Sequence, residues 1–167
     1  MKWQKAVGAG MLGAVAMSVI MALARLAGMP ANMSMMLGTM LGLTAGGAAW
    51  VVGFIMHLVI SGALALAYGL VFERVVHRAG IWTGTAVSVF HIVVAGLFLG
   101  MMPALHPAMP GMMNPPGIFL SNLGTMGVIA FVLLHIIYGM IVGGMYGETL
   151  HRAPAAGHAP EAHAPAH

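Results

Sequence analysis

Long apolar stretches, separated by short breaks of glycine, proline and charge, dominate the pattern of this chain. Four of them cover residues 6–28, 46–72, 81–102 and 118–146. Each reaches the roughly 20 residues that an α-helix needs to cross a bilayer. The pattern therefore predicts an all-α fold, an integral membrane four-helix bundle. A short interfacial helix is expected within residues 32–44, because residues 37–72 are too many for one untilted span.

The composition supports a membrane location and a single folded domain. Of the 167 residues, 60% are hydrophobic and 5% are charged, and the mean hydropathy is +0.97. A soluble domain of this size needs far more surface charge. Residues 1–152 are predicted to form the transmembrane domain, and residues 153–167, rich in Ala, Pro and His, a disordered tail. Without cysteine, the chain has no disulfides or thiolate metal sites.

The basic residues predict how the chain is oriented. With four spans, five of the six fall on one side: Lys2, Lys5, Arg74, Arg78 and Arg152. Basic residues favour the cytoplasmic side, so both termini are expected in the cytoplasm. Arg25 is the exception, near the outer end of the first helix, where its long stem can snorkel outward. Nothing in the net charge of +3 suggests nucleic acid as a partner. The first stretch can also be interpreted as a signal peptide cleaved after residues 22–24.

Short motifs recur in the same order and predict two diverged copies of a helical hairpin. Leu-Gly-Thr-Met occupies residues 37–40 and again 123–126. A histidine with Tyr-Gly eleven residues later follows in each copy, at His57 and at His135. The distance from the first motif to the histidine differs by eight residues between the copies. Helices 1 and 3 would point the same way, as would helices 2 and 4, which makes the repeat parallel.

Three histidines, His57, His91 and His135, lie near the centres of apolar stretches. Eleven helical residues rise ~16 Å, about half the thickness of the hydrocarbon core, and Tyr68 and Tyr146 favour the membrane–water interface. His57 and His135 are therefore expected near the bilayer midplane, and a similar distance from Trp82 places His91 in the same layer. Ionisable groups at that depth are costly and by default suggest a functional site.

Several chemistries suit this histidine layer. Imidazole is a common metal ligand, so the three side chains could bind copper, zinc or iron. His57 and His135 could instead be the axial ligands of a haem b, with His91 as a neighbour. The simpler alternative is that the histidines hydrogen-bond across the bundle and hold the helices together. A proton or ion path through the imidazoles is the third possibility.

Ten of the 18 methionines cluster in two stretches on the predicted outer side. The candidate metal ligands among them, with one histidine, are Met33, Met35, Met36, Met101, Met102, His106, Met109, Met112 and Met113. Thioether sulfur is a soft ligand that selects Cu(I). The prolines between residues 103 and 116 are expected to prevent a regular helix there and leave a loop that could wrap an ion. The alternative is that these methionines are flexible apolar gap-fillers.

Several of these motifs, in this order, resemble a family of small bacterial inner-membrane proteins filed as a domain of unknown function. The matching elements are Gly53-Phe54 with His57, Gly100-Met101-Met102-Pro103, Leu123-Gly124, and His135 with Gly139, Gly143 and Tyr146-Gly147. The similarity extends from about Ala6 to Gly147. It implies four spans and a bacterial inner membrane, and it brings no activity.

These features predict a membrane protein that binds or handles copper or haem through the histidines and the outer methionines. The first alternative is an accessory or assembly subunit of a larger membrane complex, or of a homo-oligomer, which packs through its glycine faces. The second alternative is a small ion or proton channel or transporter. No nucleophile set, carboxylate pair or phosphate loop is present, so an enzyme is not expected.

Overall fold

The computed structural model describes residues 1–109, 111 and 113–150, the last three by their backbone alone. This part of the chain is helical and contains no strand. Its elements are α1 (Trp3–Leu26), α2 (Met33–Met40), α3 (Gly47–Arg74), α4 (Ile81–Gly100), α5 (Met102–Leu105), a 3₁₀ segment (Ile118–Leu123) and α6 (Gly124–Leu150). The expected disordered tail, residues 153–167, lies outside the described residues.

Four segments of this fold are long and apolar enough to cross a membrane: Trp3–Leu26, Gly47–Arg74, Ile81–Gly100 and Ile118–Gly147. They agree to within three residues with the four predicted stretches. The chain is thus a multi-pass membrane protein whose outward apolar side chains contact lipid. The predicted short helix is confirmed as α2, and the Asn32 side chain caps it by accepting a hydrogen bond from the Met35 amide.

The prediction that residues 103–116 form no regular helix is wrong at its start, where α5 makes one helical turn. Pro103 lies in the first turn of α5. A proline is tolerated there because the first amides of a helix have no partner within the helix. The last span also begins differently from the prediction: Phe119 and Leu120 adopt left-handed backbone angles, with φ of 55° and 61°, before α6 starts.

Close backbone contacts at glycines join the long helices in pairs. A Cβ added at Gly84 of α4 would overlap the carbonyl of Gly139 in α6, and one at Gly10 of α1 would overlap the carbonyl of Ser61 in α3. Such small-residue contacts let membrane helices approach closely. Helix α1 packs against α3 and α6, and α6 also packs against α4, whereas α3 and α4 share few contacts. Helix α3 also shares few contacts with α6, so among the other spans it is held mainly by α1.

Polar contacts tie α1, α3 and α6 together at the end where the basic residues cluster. The amino group of Met1 pairs with the Glu73 carboxylate at 3.0 Å, and the Tyr146 hydroxyl donates to the other Glu73 oxygen. Tyr146 is itself fully buried. The start of α1 and the ends of α3 and α6 are thereby fixed on the same side of the bundle.

Candidate functional site

The three histidines line one cavity of about 290 Å³ between the helices. His57 comes from α3, His91 from α4 and His135 from α6. His91 and His135 are buried in the protein, and His57 is half-buried. The other lining residues are apolar except for Ser61, and three of them are methionines: Met17, Met33 and Met36. The structure therefore brings together the three histidines that the sequence singles out.

A hydrogen bond holds the Nδ1 atom of each of these imidazole rings. The partners are the Ser18 hydroxyl for His57 (3.3 Å), the Tyr68 hydroxyl for His91 (3.2 Å) and the Phe131 carbonyl for His135 (2.7 Å). A carbonyl only accepts, so the Nδ1 atom of His135 carries the proton and donates it. The Nε2 atom of neutral His135 is then left with a free lone pair.

The Nε2 atoms of the three rings are accessible. Within the described part of the chain, none of them has a hydrogen-bond partner, and no polar side-chain atom there is both buried and unbonded. Each Nε2 atom is therefore at least partly exposed. All three rings line the cavity, and those of His57 and His135 also line a smaller neighbouring space. A histidine that binds a metal almost always has its other ring nitrogen fixed by a hydrogen bond, which is the arrangement here.

Two of the three imidazole rings, those of His91 and His135, form a close pair. The centroids of the His91 and His135 rings lie 4.8 Å apart, edge to face. Among the described residues, no three His, Cys, Asp or Glu side chains are grouped closely enough to hold one metal ion. A metal site here would therefore combine two histidines with another ligand, and the methionines that line the cavity are candidates because their sulfur is a soft ligand.

A second, smaller pocket of about 130 Å³ adjoins the histidine cavity on the side of α2. It is lined by six methionines, among other residues: Met21, Met33, Met35, Met36, Met109 and Met113. Met33 and Met36 line both spaces. Two other candidate sulfur ligands do not line this pocket: Met102 is fully buried in the apolar core, and Met101 is 55% exposed. Met112 lies outside the described residues.

His106 occupies a different environment from the cavity histidines, because both of its ring nitrogens are bonded. Its Nδ1 atom accepts from the amide of Ala108 at 3.1 Å. Its Nε2 atom therefore carries the proton and donates to the carbonyl of Met36 at 3.0 Å, and it also contacts the Thr39 hydroxyl. The ring is 3% exposed. His106 thus joins the loop after α5 to α2, and binding a metal would break one of these bonds.

Sequence reasoning missed the roles of two residues that support the site. Tyr68 is expected from the sequence to anchor α3 at the interface, but its ring is 3% exposed and bonds to His91. Side chains of a helix lean toward its N-terminus, which brings the Tyr68 hydroxyl up to the histidine layer. Ser18 is an ordinary small residue of α1. Neither role could be found without knowing which helices are neighbours.

No protein-family model, curated protein or solved structure matches this chain. The resemblance to the family of small inner-membrane proteins therefore stays a prediction.

Proposed function

We propose that this protein binds and handles Cu(I) in the bacterial inner membrane, with both termini in the cytoplasm. The outer methionine pocket would receive the ion, and the histidine cavity would hold it. The observation that carries the proposal is that the three imidazole rings are already oriented for metal binding. They line one cavity, and each has its Nδ1 atom fixed by a hydrogen bond and its Nε2 atom accessible.

The donor set favours copper over harder metals. Thioether sulfur and neutral imidazole are soft to borderline ligands that suit Cu(I), whereas Mg²⁺ and Ca²⁺ require oxygen ligands. No carboxylate lines the cavity. His91 and His135, together with the thioether of Met33 or Met36, make a three-ligand set of this type.

The same distances speak against haem at the close pair. Metal–imidazole bonds are about 2 Å long, so two axial rings on opposite faces of one iron would have centroids about 6 Å apart. His91 and His135 are closer than that, at 4.8 Å. Haem held by His57 and His135, the axial pair favoured by the sequence, is therefore left as the second candidate cofactor, and its absorption spectrum distinguishes it from copper.

The methionine pocket supplies an access route without a fixed positive charge. A separate narrow space of about 90 Å³ also reaches His57 and His135, but Arg25 lines it. The guanidinium repels an approaching cation. Because Met33 and Met36 line both the methionine pocket and the histidine cavity, an ion could pass between the two without leaving sulfur ligands.

The proposal is tested by titrating purified protein with Cu(I) in competition with a coloured Cu(I) chelator. His91→Ala and His135→Ala should each weaken binding by about tenfold or more, as expected for the loss of one ligand. His77→Ala, on the loop after α3, is the matched histidine control and should bind as the wild type does.

The methionines allow a second matched pair in the same assay. Met33→Leu removes a sulfur shared by both pockets, while Met101→Leu removes an exposed sulfur from outside them. Leucine keeps the volume and polarity close to those of methionine. Met33→Leu should weaken Cu(I) binding, and Met101→Leu should not. Equal affinities for the three test variants and the two controls would remove the basis of the proposal.

A further inference from the structure

The histidine cavity opens sideways between α3 and α4. Ile60, Val94 and Phe98 line the cavity, and all three are also exposed on the outer surface of the bundle. Ile60 lies at the middle of its membrane span and Val94 in the second half of the next one, whereas Phe98 lies near the end of α4. The opening therefore extends from the depth of the lipid chains toward the end of α4.

Packing elsewhere explains why the opening is at this position. Glycine contacts hold α1 against α3 and α4 against α6, whereas α3 and α4 share few contacts. Toward the end of α3, the hydrogen bond between Tyr68 and His91 bridges the two helices. The gap between α3 and α4 is thus open at the level of the cavity and bridged nearer the C-terminal end of α3.

The inner surface of this opening can form hydrogen bonds, in contrast to its rim. The Nε2 atoms of three imidazoles are accessible, and that of neutral His135 is an acceptor because the Nδ1–H group donates to Phe131. An acceptor in an apolar cavity is best matched by a ligand that brings a hydroxyl donor.

The volume limits what the cavity can take. A space of about 290 Å³ corresponds to roughly ten water molecules at ~30 Å³ each, which is the size of a substituted six-membered ring. A helix of a second copy, at 10–12 Å in diameter with its side chains, is far too wide to enter. A bare acyl chain would fit but would leave the imidazole nitrogens without partners.

We propose that a lipid-soluble hydroquinone or a related phenol binds in this cavity, reaching it from the bilayer between α3 and α4. Its ring occupies the cavity, a hydroxyl donates to the Nε2 atom of His135, and its apolar tail lies in the opening along Ile60, Val94 and Phe98. The inference concerns binding alone. It goes beyond the copper proposal and does not depend on it, since the imidazoles recognise the hydroxyl without a metal. Cu(I) and the hydroxyl would compete for the single Nε2 lone pair of His135, so the phenol binds the copper-free protein.

Two neighbouring valines of α4 provide a matched test. Val94 is 44% exposed and lines the cavity, whereas Val93 is 45% exposed and does not. Val94→Trp should obstruct the opening, and Val93→Trp should only add a ring on the lipid-facing surface. Both variants and the wild type are purified metal-free in detergent and titrated with decylubiquinol and with decylbenzene, which has the same tail but no oxygen.

The expected result is saturable binding of decylubiquinol by the wild type and by Val93→Trp, weakened about tenfold or more in Val94→Trp. Decylbenzene should bind much more weakly than decylubiquinol. The inference is overturned if decylubiquinol does not bind saturably, if both tryptophan variants bind it equally, or if decylbenzene binds as well. Loss of a dimer in Val94→Trp without any ligand binding would assign the opening to a second copy instead. None of these outcomes alters the Cu(I) titration, so the two proposals fail separately.

Discussion

His106 distinguishes a structural histidine from a metal ligand, and replacing it with alanine tests that distinction. The substitution removes the acceptor of the buried Ala108 amide and the donor to the Met36 carbonyl. An unsatisfied buried amide costs about 1–3 kcal/mol, and the lost bond to α2 about 1 kcal/mol more. The expected loss is therefore about 3 kcal/mol. For a chain of this size, that corresponds to a fall in Tm of roughly 6–12 °C.

The assay is thermal unfolding in detergent, followed by circular dichroism, together with the Cu(I) titration on the same samples. Two further variants separate the two bonds. His106→Asn places an acceptor near the position of Nδ1, and His106→Gln places a donor near the position of Nε2. Each should recover part of the stability lost in His106→Ala.

Copper binding decides between the two roles of His106. If the ring is structural, all three variants should bind Cu(I) as the wild type does at temperatures where they are folded. A His106→Ala protein that keeps its Tm but loses Cu(I) affinity to the same degree as His135→Ala would refute the reasoning. The candidate role as a metal ligand, predicted from the sequence, would then be restored.

Two other substitutions test the packing and the support of the site. Gly84→Ala should destabilise the protein by about 1–3 kcal/mol, because the new methyl group overlaps the Gly139 backbone. The control Gly8→Ala, with open space at its Cβ, should leave Tm unchanged or raise it. Equal Tm values for the two variants would contradict the close contact. Tyr68→Phe should weaken Cu(I) binding by about tenfold, because it leaves the Nδ1 atom of His91 without its hydrogen bond, and should cost about 1–3 kcal/mol of stability for the same reason. Tyr146→Phe, whose hydroxyl bonds to Glu73 at the far end, should bind Cu(I) normally. A Tyr68→Phe protein with unchanged affinity would show that this hydrogen bond has no part in ligation.

The spans and the candidate histidines could be predicted from the sequence because they depend on local properties. A run of about 20 apolar residues is enough to identify a membrane helix, and a histidine within it is conspicuous whatever its neighbours are. The short helix α2 was accessible for the same reason, since the residues before α3 exceed the length of one span.

The arrangement around the histidines depends on which helices touch and on how each is rotated, and neither property is local. Residues of the same type therefore have different environments. His135 lines the cavity with a free Nε2 atom, while His106 uses both ring nitrogens to join two segments of the chain. The methionines divide in the same way, with Met33 in the pocket and Met101 on the surface. Spacing along the chain cannot separate these cases.

Elemental analysis and an absorption spectrum of protein purified from membranes, before and after reconstitution with Cu(I), test the central claim most directly. The account predicts bound copper in stoichiometric amount, lost in the His91→Ala/His135→Ala double variant, and no Soret band. Protein that stays free of copper after reconstitution would contradict it, as would iron with a Soret band, which would assign the cavity to haem.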